Sequence, residues 1–178
     1  MDASHLARAQ TEVERAHQSL IELGATKHLG EIERYWAAFL LHFERIFHRL
    51  EAAAGGKGDA WYGRVEQFRK KDPLLSYLLH ARNVDEHGLK MVTRRGPGFI
   101  REVGAEPMDP SRPETGMRVT LEVQDPHVAL VDVIDRNVTY AVPKSFRGSA
   151  ISLAHPLSVG LLGLSYAEET VIQARGMV

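Results

Sequence analysis

The first fifty residues carry two strong helical patterns of apolar positions. The first pattern recurs every three or four residues and stops at Gly24, with members Leu6, Ala9, Val13, Ala16, Leu20 and Leu23. The second is longer and richer in aromatic side chains, with Ile32, Trp36, Phe39, Phe43, Ile46 and Leu50 on one stripe. Such spacing is typical of amphipathic helices. Because only a short joint separates them, we predict an antiparallel helical hairpin whose aromatic stripe is a bundle core rather than a surface for stacking bases.

Two weaker helical patterns complete the predicted bundle. A short helix follows the glycine-rich loop after residue 54, with Trp61, Val65 and Phe68 at inward positions and a basic end at Arg69, Lys70 and Lys71. Near the end of the chain, helical spacing returns at Leu157, Leu161, Leu164, Ala167, Val171 and Ala174. We expect this last helix to pack against the helical hairpin, because its apolar face needs a partner.

The stretch from Asp72 to Gly88 is predicted as a helix of unusual character. Asp72 can cap its N-terminus, and Pro73 stands at the first helical position, where a missing N–H has no cost. The apolar face comprises Leu74, Leu75, Leu78, Leu79, Ala81 and Val84. Arg82 falls near the middle of that face, and Asp85 and Glu86 fall within its limits. Charge at inward positions indicates either a buried ion network or a functional site.

Between residues 88 and 156 the helical spacing gives way to alternation. The segment just before Gly96 is predicted to extend or restart a short helix. Apolar and polar residues then alternate from Met117 to Val123, and two more strands are predicted at 127–134 and 138–142, forming an antiparallel meander. The predicted fold is therefore mainly α (α+β): a single domain, 1–178, with an antiparallel helical bundle at 1–95 plus 155–178 and a small β-meander inserted at 114–143.

Composition and charge exclude some kinds of site but do not indicate a specific function. The chain has 178 residues, a formal net charge of -1 and no cysteine, which excludes disulfides, thiolate nucleophiles and zinc–thiolate sites. The N-terminus lacks the apolar stretch of a signal peptide, so we expect a soluble cytoplasmic protein. The segment from Arg64 to Arg101 has a positive net charge, unlike the chain as a whole, since it holds nine basic and four acidic residues. Its basic residues include Arg69, Lys70, Lys71, Lys90, Arg94 and Arg95, which are candidates for RNA backbone contacts.

The candidate chemistry centres on Arg82, Asn83 and His87. An arginine, a polar residue, a short spacer and a histidine, late on a helix of an all-helical region, resemble the signature of the HEPN (higher eukaryotes and prokaryotes nucleotide-binding) superfamily. The resemblance covers residues 1 to about 95 and the last helix; the β-meander is not part of that family's minimal bundle. It implies a homodimer in which two copies of the motif line one cleft, and metal-independent cleavage of RNA, with a toxin or defence role and an antitoxin or other protein partner.

Helix geometry restricts how such a site could form. Five residues rotate a helix by about 140° net, so Arg82 and His87 cannot point the same way on one regular helix. The helix must end near His87, or two copies must meet. Arg82 would bind the scissile phosphate, and His87 would act as general acid or base. Asn83 would orient the phosphate or the histidine, and the product would be a 2′,3′-cyclic phosphate. His80, Asp85 and Glu86 would support these groups.

Several alternatives stay open beside this hypothesis. Arg82 could instead form intrahelical ion pairs with Asp85 or Glu86, and the bundle could bind a nucleotide, RNA or protein without catalysis. A metal site at His80, Asn83 and His87 lacks a further ligand of assured position, so neither metal nor cofactor is expected. Asp132, Asp135 and His127 are predicted as exposed strand and turn residues, and the combination of Ser152, His155 and Asp132 lacks a nucleophile elbow.

Overall fold

The computed structural model describes residues 1–55, 58–86, 92–107, 111, 117–152 and 155–178. Its helices are α1 Ala3–Ala25, α2 Leu29–Ala54, α3 Asp59–Lys71, α4 Pro73–Glu86 and α5 Pro156–Arg175. Its strands are β1 Thr93–Gly96, β2 Phe99–Pro107, β3 Met117–Gln124, β4 His127–Leu130, β5 Val133–Asp135, β6 Val138–Tyr140, β7 Ser145–Phe146 and β8 Ser149–Ala150. The chain is mainly helical with small antiparallel strand pairs, as the sequence predicts at this level of detail.

The chain divides into two compact units. The larger comprises residues 1–94 and 128–178 and holds all five described helices, and the smaller comprises residues 95–127 and holds β2 and β3. The smaller unit therefore starts and stops earlier than the insert expected at 114–143.

The helical hairpin of the larger unit is confirmed. The N–H of Asp2, just before α1, donates to the carbonyl of Ala53 near the end of α2, so the two helices run antiparallel. Asp2 also caps α1 by accepting from the N–H groups of Ser4 and His5. These contacts follow from the short connection, since a two- to five-residue loop brings consecutive helices side by side in opposite directions.

The aromatic stripe of α2 is buried, as predicted. Trp36, Phe39, Phe43 and Phe47 are at most 1% exposed, and neighbouring ring centres along the row are 5.2 to 5.6 Å apart. Each ring buries a large apolar surface, and tilted or offset pairs add to that gain. The stripe is therefore the core of the bundle and is not accessible to bases.

The last helix packs against the bundle, as expected, and glycines permit its close approach. A Cβ on Gly160 would lie 2.6 Å from Cδ2 of Leu20 on α1, and one on Gly163 would lie 2.5 Å from Cδ1 of Leu78 on α4. Two positions without side chains on one face of α5 thus let it contact both helices at short range.

The short helix α3 differs from its prediction at one position. Trp61 and Val65 are buried as expected, but Phe68 is 39% exposed, whereas Arg69 is 4% exposed. Residues 61, 65 and 69 are each four apart and so share one face of the helix. The expectation that Phe68 points inward was wrong because Arg69 takes that position.

The strands do not form the predicted meander. β3 pairs with β2, from Phe99↔Gln124 to Pro107↔Met117, with a register shift between Glu102 and Gly104. The expected second strand at 127–134 is divided into β4 and β5, and the described strands form four two-stranded ladders, β1 with β4, β2 with β3, β5 with β6 and β7 with β8. Thr93–Gly96 is a strand, so the expected helix there was also wrong.

Tight turns explain the two shortest ladders. Asp135 pairs with Val138, and the residues between them, Arg136 and Asn137, have φ angles of 49° and 65°. Positive φ at both loop positions is the geometry of a type I′ hairpin turn, which matches the twist of the flanking strands. The β7–β8 hairpin has the same turn geometry, with Arg147 and Gly148 at φ 50° and 79°.

Of the described helices, none is long and apolar enough to cross a membrane.

Candidate functional site

Helix α4 carries the candidate site and is fixed firmly at its start. Oδ1 of Asp72 accepts hydrogen bonds from the N–H groups of Leu74, at 2.9 Å, and Leu75, at 3.2 Å. Its Oδ2 accepts from the N–H of Arg147, at 2.9 Å, in the β7–β8 turn. The predicted N-cap is therefore confirmed, and the same carboxylate also attaches the hairpin to the helix.

The inward face of α4 carries both buried apolar and more exposed charged side chains toward its C-terminal end. Leu74, Leu78, Ala81 and Val84 are fully buried, but Arg82 is only half-buried and Asp85 is exposed. The expectation that these charges lie in the core was therefore wrong. Val84 keeps the core continuous into the last turn, whereas Arg82 and Asp85 line a space beside Ala37 and Ala38 of α2.

That space is an open cavity of about 460 Å³. Arg82 and Asp85 line it from α4, and Ala37, Ala38, Leu41 and Arg45 line it from α2. Desolvation by the surrounding protein raises the pKa of the Asp85 carboxyl. Among the described residues that line the cavity, two guanidinium groups and one carboxyl give a net positive charge, which suits an anionic ligand.

The opposite side of α4 is occupied by a hydrogen-bonded cluster. Nδ1 of His80 lies 2.7 Å from Oδ2 of Asp135 at the end of β5, and Nδ2 of Asn83 donates to the same oxygen at 3.2 Å. The His80 ring stacks on Tyr140 of β6, with ring centres 3.5 Å apart. We name these four residues, His80, Asn83, Asp135 and Tyr140, the histidine cluster.

Asp135 was predicted to be exposed, and that prediction was wrong. Its exposed fraction is 8%, and the hydrogen bond from His80, followed by that from Asn83, holds the pKa of its carboxyl below the usual range. A signal in the sequence could have found it, because the alternation of strand β5 places Asp135 on the same buried side as Val133. Tyr140 and Arg45 were also missed, since neither belongs to a recognisable motif.

Asn83 connects the two sides of the helix. Nη1 of Arg82 donates to Oδ1 of Asn83 at 3.4 Å, while the Asn83 amide nitrogen donates to Asp135. Hydrogen bonds thus run from the cavity through Asn83 to Asp135 and His80. This network restrains the orientation of the Arg82 guanidinium, and it engages the amide group that was expected to orient a phosphate or the histidine.

Arg69 is a structural residue rather than an RNA contact. It forms a buried ion pair with Glu44 of α2, and its guanidinium carbon lies 3.7 Å from the centre of the Phe47 ring. At 4% exposure the side chain has no surface to offer a ligand. The expectation that it binds RNA was therefore wrong, because the side chain is buried between the Glu44 carboxylate and the Phe47 ring.

The other basic candidates that the structure describes are exposed. Lys70 pairs with Glu66 at 2.6 Å, and Lys71 follows it at the end of α3. Arg94 and Arg95 are exposed on β1. His87 and Lys90 lie outside the described residues, and of Glu86 the structure describes only the helical backbone.

Metal binding finds no support in the described part of the chain. No group of three or more His, Cys, Asp or Glu residues there could hold an ion. Asp132 instead accepts from the N–H of Val142 at 2.8 Å, and His155 accepts from that of Leu157. Both groups satisfy local backbone donors, and the second caps α5.

Comparison of the chain with protein-family models, with curated proteins and with solved structures finds no match.

Proposed function

We propose that this chain is a HEPN-like, metal-independent endoribonuclease that acts as a cytoplasmic homodimer, in a toxin or defence role that includes an antitoxin or other protein partner. The observation that carries the proposal is the position of Arg82. It lies half-buried in the last turn of α4, at an open cavity that it shares with Arg45. A guanidinium that lines an open cavity together with a second guanidinium is suited to binding a phosphate.

The proposed chemistry needs no metal. Arg82 binds the scissile phosphate and offsets the charge that grows on it in the transition state, through a rigid fork of donors. Arg45 adds a second cation at the same cavity. His87, which directly follows the last residue of α4, serves as general acid or base toward the 2′-hydroxyl and the leaving oxygen. Attack by the 2′-hydroxyl yields a 2′,3′-cyclic phosphate and a 5′-hydroxyl end.

Asn83 has a positioning role in this proposal. Because its amide nitrogen donates to Asp135 and its oxygen accepts from Arg82, it holds the guanidinium instead of contacting RNA. Preorganised donors of this kind stabilise a transition state without reorganising during the reaction.

A homodimer is how the proposed site brings Arg82 and His87 to one phosphate. Five residues separate Arg82 from His87, and that spacing turns their side chains apart by about 140° on a regular helix. Two copies of α4 that meet at their ends would let the arginine of one and the histidine of the other act on one phosphate.

A second candidate function is non-catalytic binding of a nucleotide, an RNA or a protein partner by the same bundle. The histidine cluster favours it, because a network that locks Asn83 and His80 to Asp135 also explains these residues as structural. The cavity at Arg82 would then bind an anion without cleaving it.

Incubation of the purified protein with total RNA in EDTA distinguishes the two functions. The wild type is compared with Arg82→Ala and His87→Ala, and with Arg8→Ala and His17→Ala on the exposed face of α1 as matched controls. The nuclease proposal predicts cleavage that falls by about 100-fold or more in the first pair and is unchanged in the second. Binding without cleavage supports the second function, and cleavage that neither Arg82→Ala nor His87→Ala alters contradicts the first.

A further inference from the structure

A second cavity, of about 470 Å³, lies on another side of α4 within the larger unit. The end of α3 and the first turns of α4 form one wall, and the segment from Thr139 to Ser145 forms the other. We call it the lysine cleft, after its lining side chains Lys70, Lys71 and Lys144. Ser76 and Arg82 are six positions apart on α4, so they point about 120° away from each other. The lysine cleft is therefore distinct from the cavity at Arg82.

The charge of the lysine cleft is one-sided. Three ammonium groups line it, and among the described residues that line it none is acidic. Two carboxylates next to lining residues in sequence or by hydrogen bond have other partners: Asp132 accepts from the N–H of Val142, and Asp72 accepts from backbone N–H groups of α4 and from that of Arg147. Lys70 pairs with Glu66, but both side chains are about half exposed or more, and such a surface pair contributes little.

Neutral donors and one fixed ring complete the cleft. Ser76, Thr139 and Ser145 bring hydroxyl groups, and Tyr140 lines the cleft while stacking on His80. Because His80 is itself bonded to Asp135, the ring of Tyr140 is held in place from behind. The histidine cluster thus fixes one wall of the cleft, and a fixed wall lowers the conformational entropy that the protein loses when a ligand binds.

We propose that the lysine cleft binds the phosphate monoester of a small phosphorylated metabolite. A monoester carries up to two negative charges and accepts several hydrogen bonds, which matches a cleft lined by lysine, serine and threonine residues. A cavity of this size is typical of small-molecule sites. The inference is independent of the nuclease proposal, since it uses neither Arg82 nor His87.

Calorimetric titration of the whole chain tests the lysine cleft with defined probes. Adenosine 5′-monophosphate, ribose 5-phosphate and adenosine are compared at low salt, together with a short RNA carrying either a 5′-phosphate or a 5′-hydroxyl. The proposal predicts that both small monoesters bind and adenosine does not. Tighter binding of the free monoesters than of the phosphorylated RNA identifies a metabolite site, whereas tighter binding of the RNA overturns the choice of a small ligand.

Paired variants connect that binding to the cleft. Lys71→Gln with Lys144→Gln removes two of its charges, and both side chains are exposed, so the fold is expected to persist. Lys27→Gln with Arg175→Gln, also exposed, makes the same change in net charge elsewhere. We expect at least about tenfold weaker binding of ribose 5-phosphate in the first pair and an unchanged affinity in the second. Equal affinities in both pairs, or equal binding of adenosine and its monophosphate by the wild type, overturn the proposal.

Discussion

Nδ1 of His80 lies 2.7 Å from Oδ2 of Asp135 and joins the middle of α4 to the β5–β6 hairpin. An ionised carboxylate only accepts hydrogen bonds, so the imidazole nitrogen carries the proton in this contact. The pair stands between two proposed sites: through Asn83 it restrains Arg82, and through the His80 ring it fixes Tyr140. One buried carboxylate therefore supports both cavities.

Replacement of Asp135 by asparagine should lower stability in a pH-dependent way. The folded state depresses the pKa of Asp135, so its contribution is present above the unfolded value of about 3.9 and is lost as the pH falls through the folded value. We expect Asp135→Asn to lower the free energy of unfolding by about 1 to 2 kcal/mol at pH 7. Urea unfolding at a series of pH values measures this.

The exposed Asp125→Asn is the control for Asp135→Asn and should change stability little at any pH. A loss in Asp135→Asn that stays equal from pH 7 to pH 3 would contradict the assigned role of the carboxylate.

The buried pair of Arg69 and Glu44 gives a second prediction. Arg69→Met leaves the carboxylate of Glu44 buried without its guanidinium, which should cost about 3 to 5 kcal/mol of stability. Adding Glu44→Gln should recover a substantial part of that loss, because no unpaired charge then remains. Unfolding of the two single variants and the double variant completes the cycle. Additive losses would show that the two side chains do not interact.

The cap of α4 gives a third prediction, with a matched control in the same chain. Asp72 and Asp2 each accept from two N–H groups at the start of a helix, but Asp72 is 6% exposed and also accepts from Arg147, whereas Asp2 is exposed. Asp72→Ala should cost about 2 kcal/mol. Asp2→Ala should cost clearly less, since water can replace its bonds. Thermal unfolding compares them, and an equal fall in melting temperature would refute the dual role of Asp72.

Long helices were the most predictable part of this fold. α1, α2 and α5 each repeat an apolar face over five turns or more, so their existence follows from periodicity alone. Periodicity was wrong about one position of α5, since Leu161 is 49% exposed. The cap at Asp72 was predictable for a different reason, because an acidic residue directly before a proline at the first helical position is a local signal that needs no tertiary contact.

The strand pairs could not be predicted in the same way. β3 alternates clearly, but its partner β2 contains Gly104 at a register shift that interrupts the alternation. β7 and β8 have two residues each, too few for any periodicity. Which strand pairs with which depends on contacts between distant parts of the chain, and these leave no mark on a single segment.

The sequence predicted which residues of α4 belong to the candidate site, but not which residues from other elements contact them. Periodicity placed Arg82 and Asp85 on the inward face of α4, where Val84 is fully buried, yet these two charged side chains line a cavity beside Ala37 and Ala38. His80 and Asn83 were assigned to the opposite side, where the structure adds Asp135 from 52 residues away in sequence from Asn83. Burial of Arg69 had a signal that was overlooked, because it lies four residues beyond Val65.

The central claim is that RNA is cut by attack of its own 2′-hydroxyl, and a chemically modified substrate tests it most directly. A single-stranded RNA that the protein cuts is compared in EDTA with the same sequence carrying a 2′-O-methyl group at the cleaved nucleotide. The proposal predicts a 2′,3′-cyclic phosphate and a 5′-hydroxyl end from the first RNA and no cleavage at the modified position of the second. Cleavage of the methylated RNA at that position, or products with a 5′-phosphate, would contradict it.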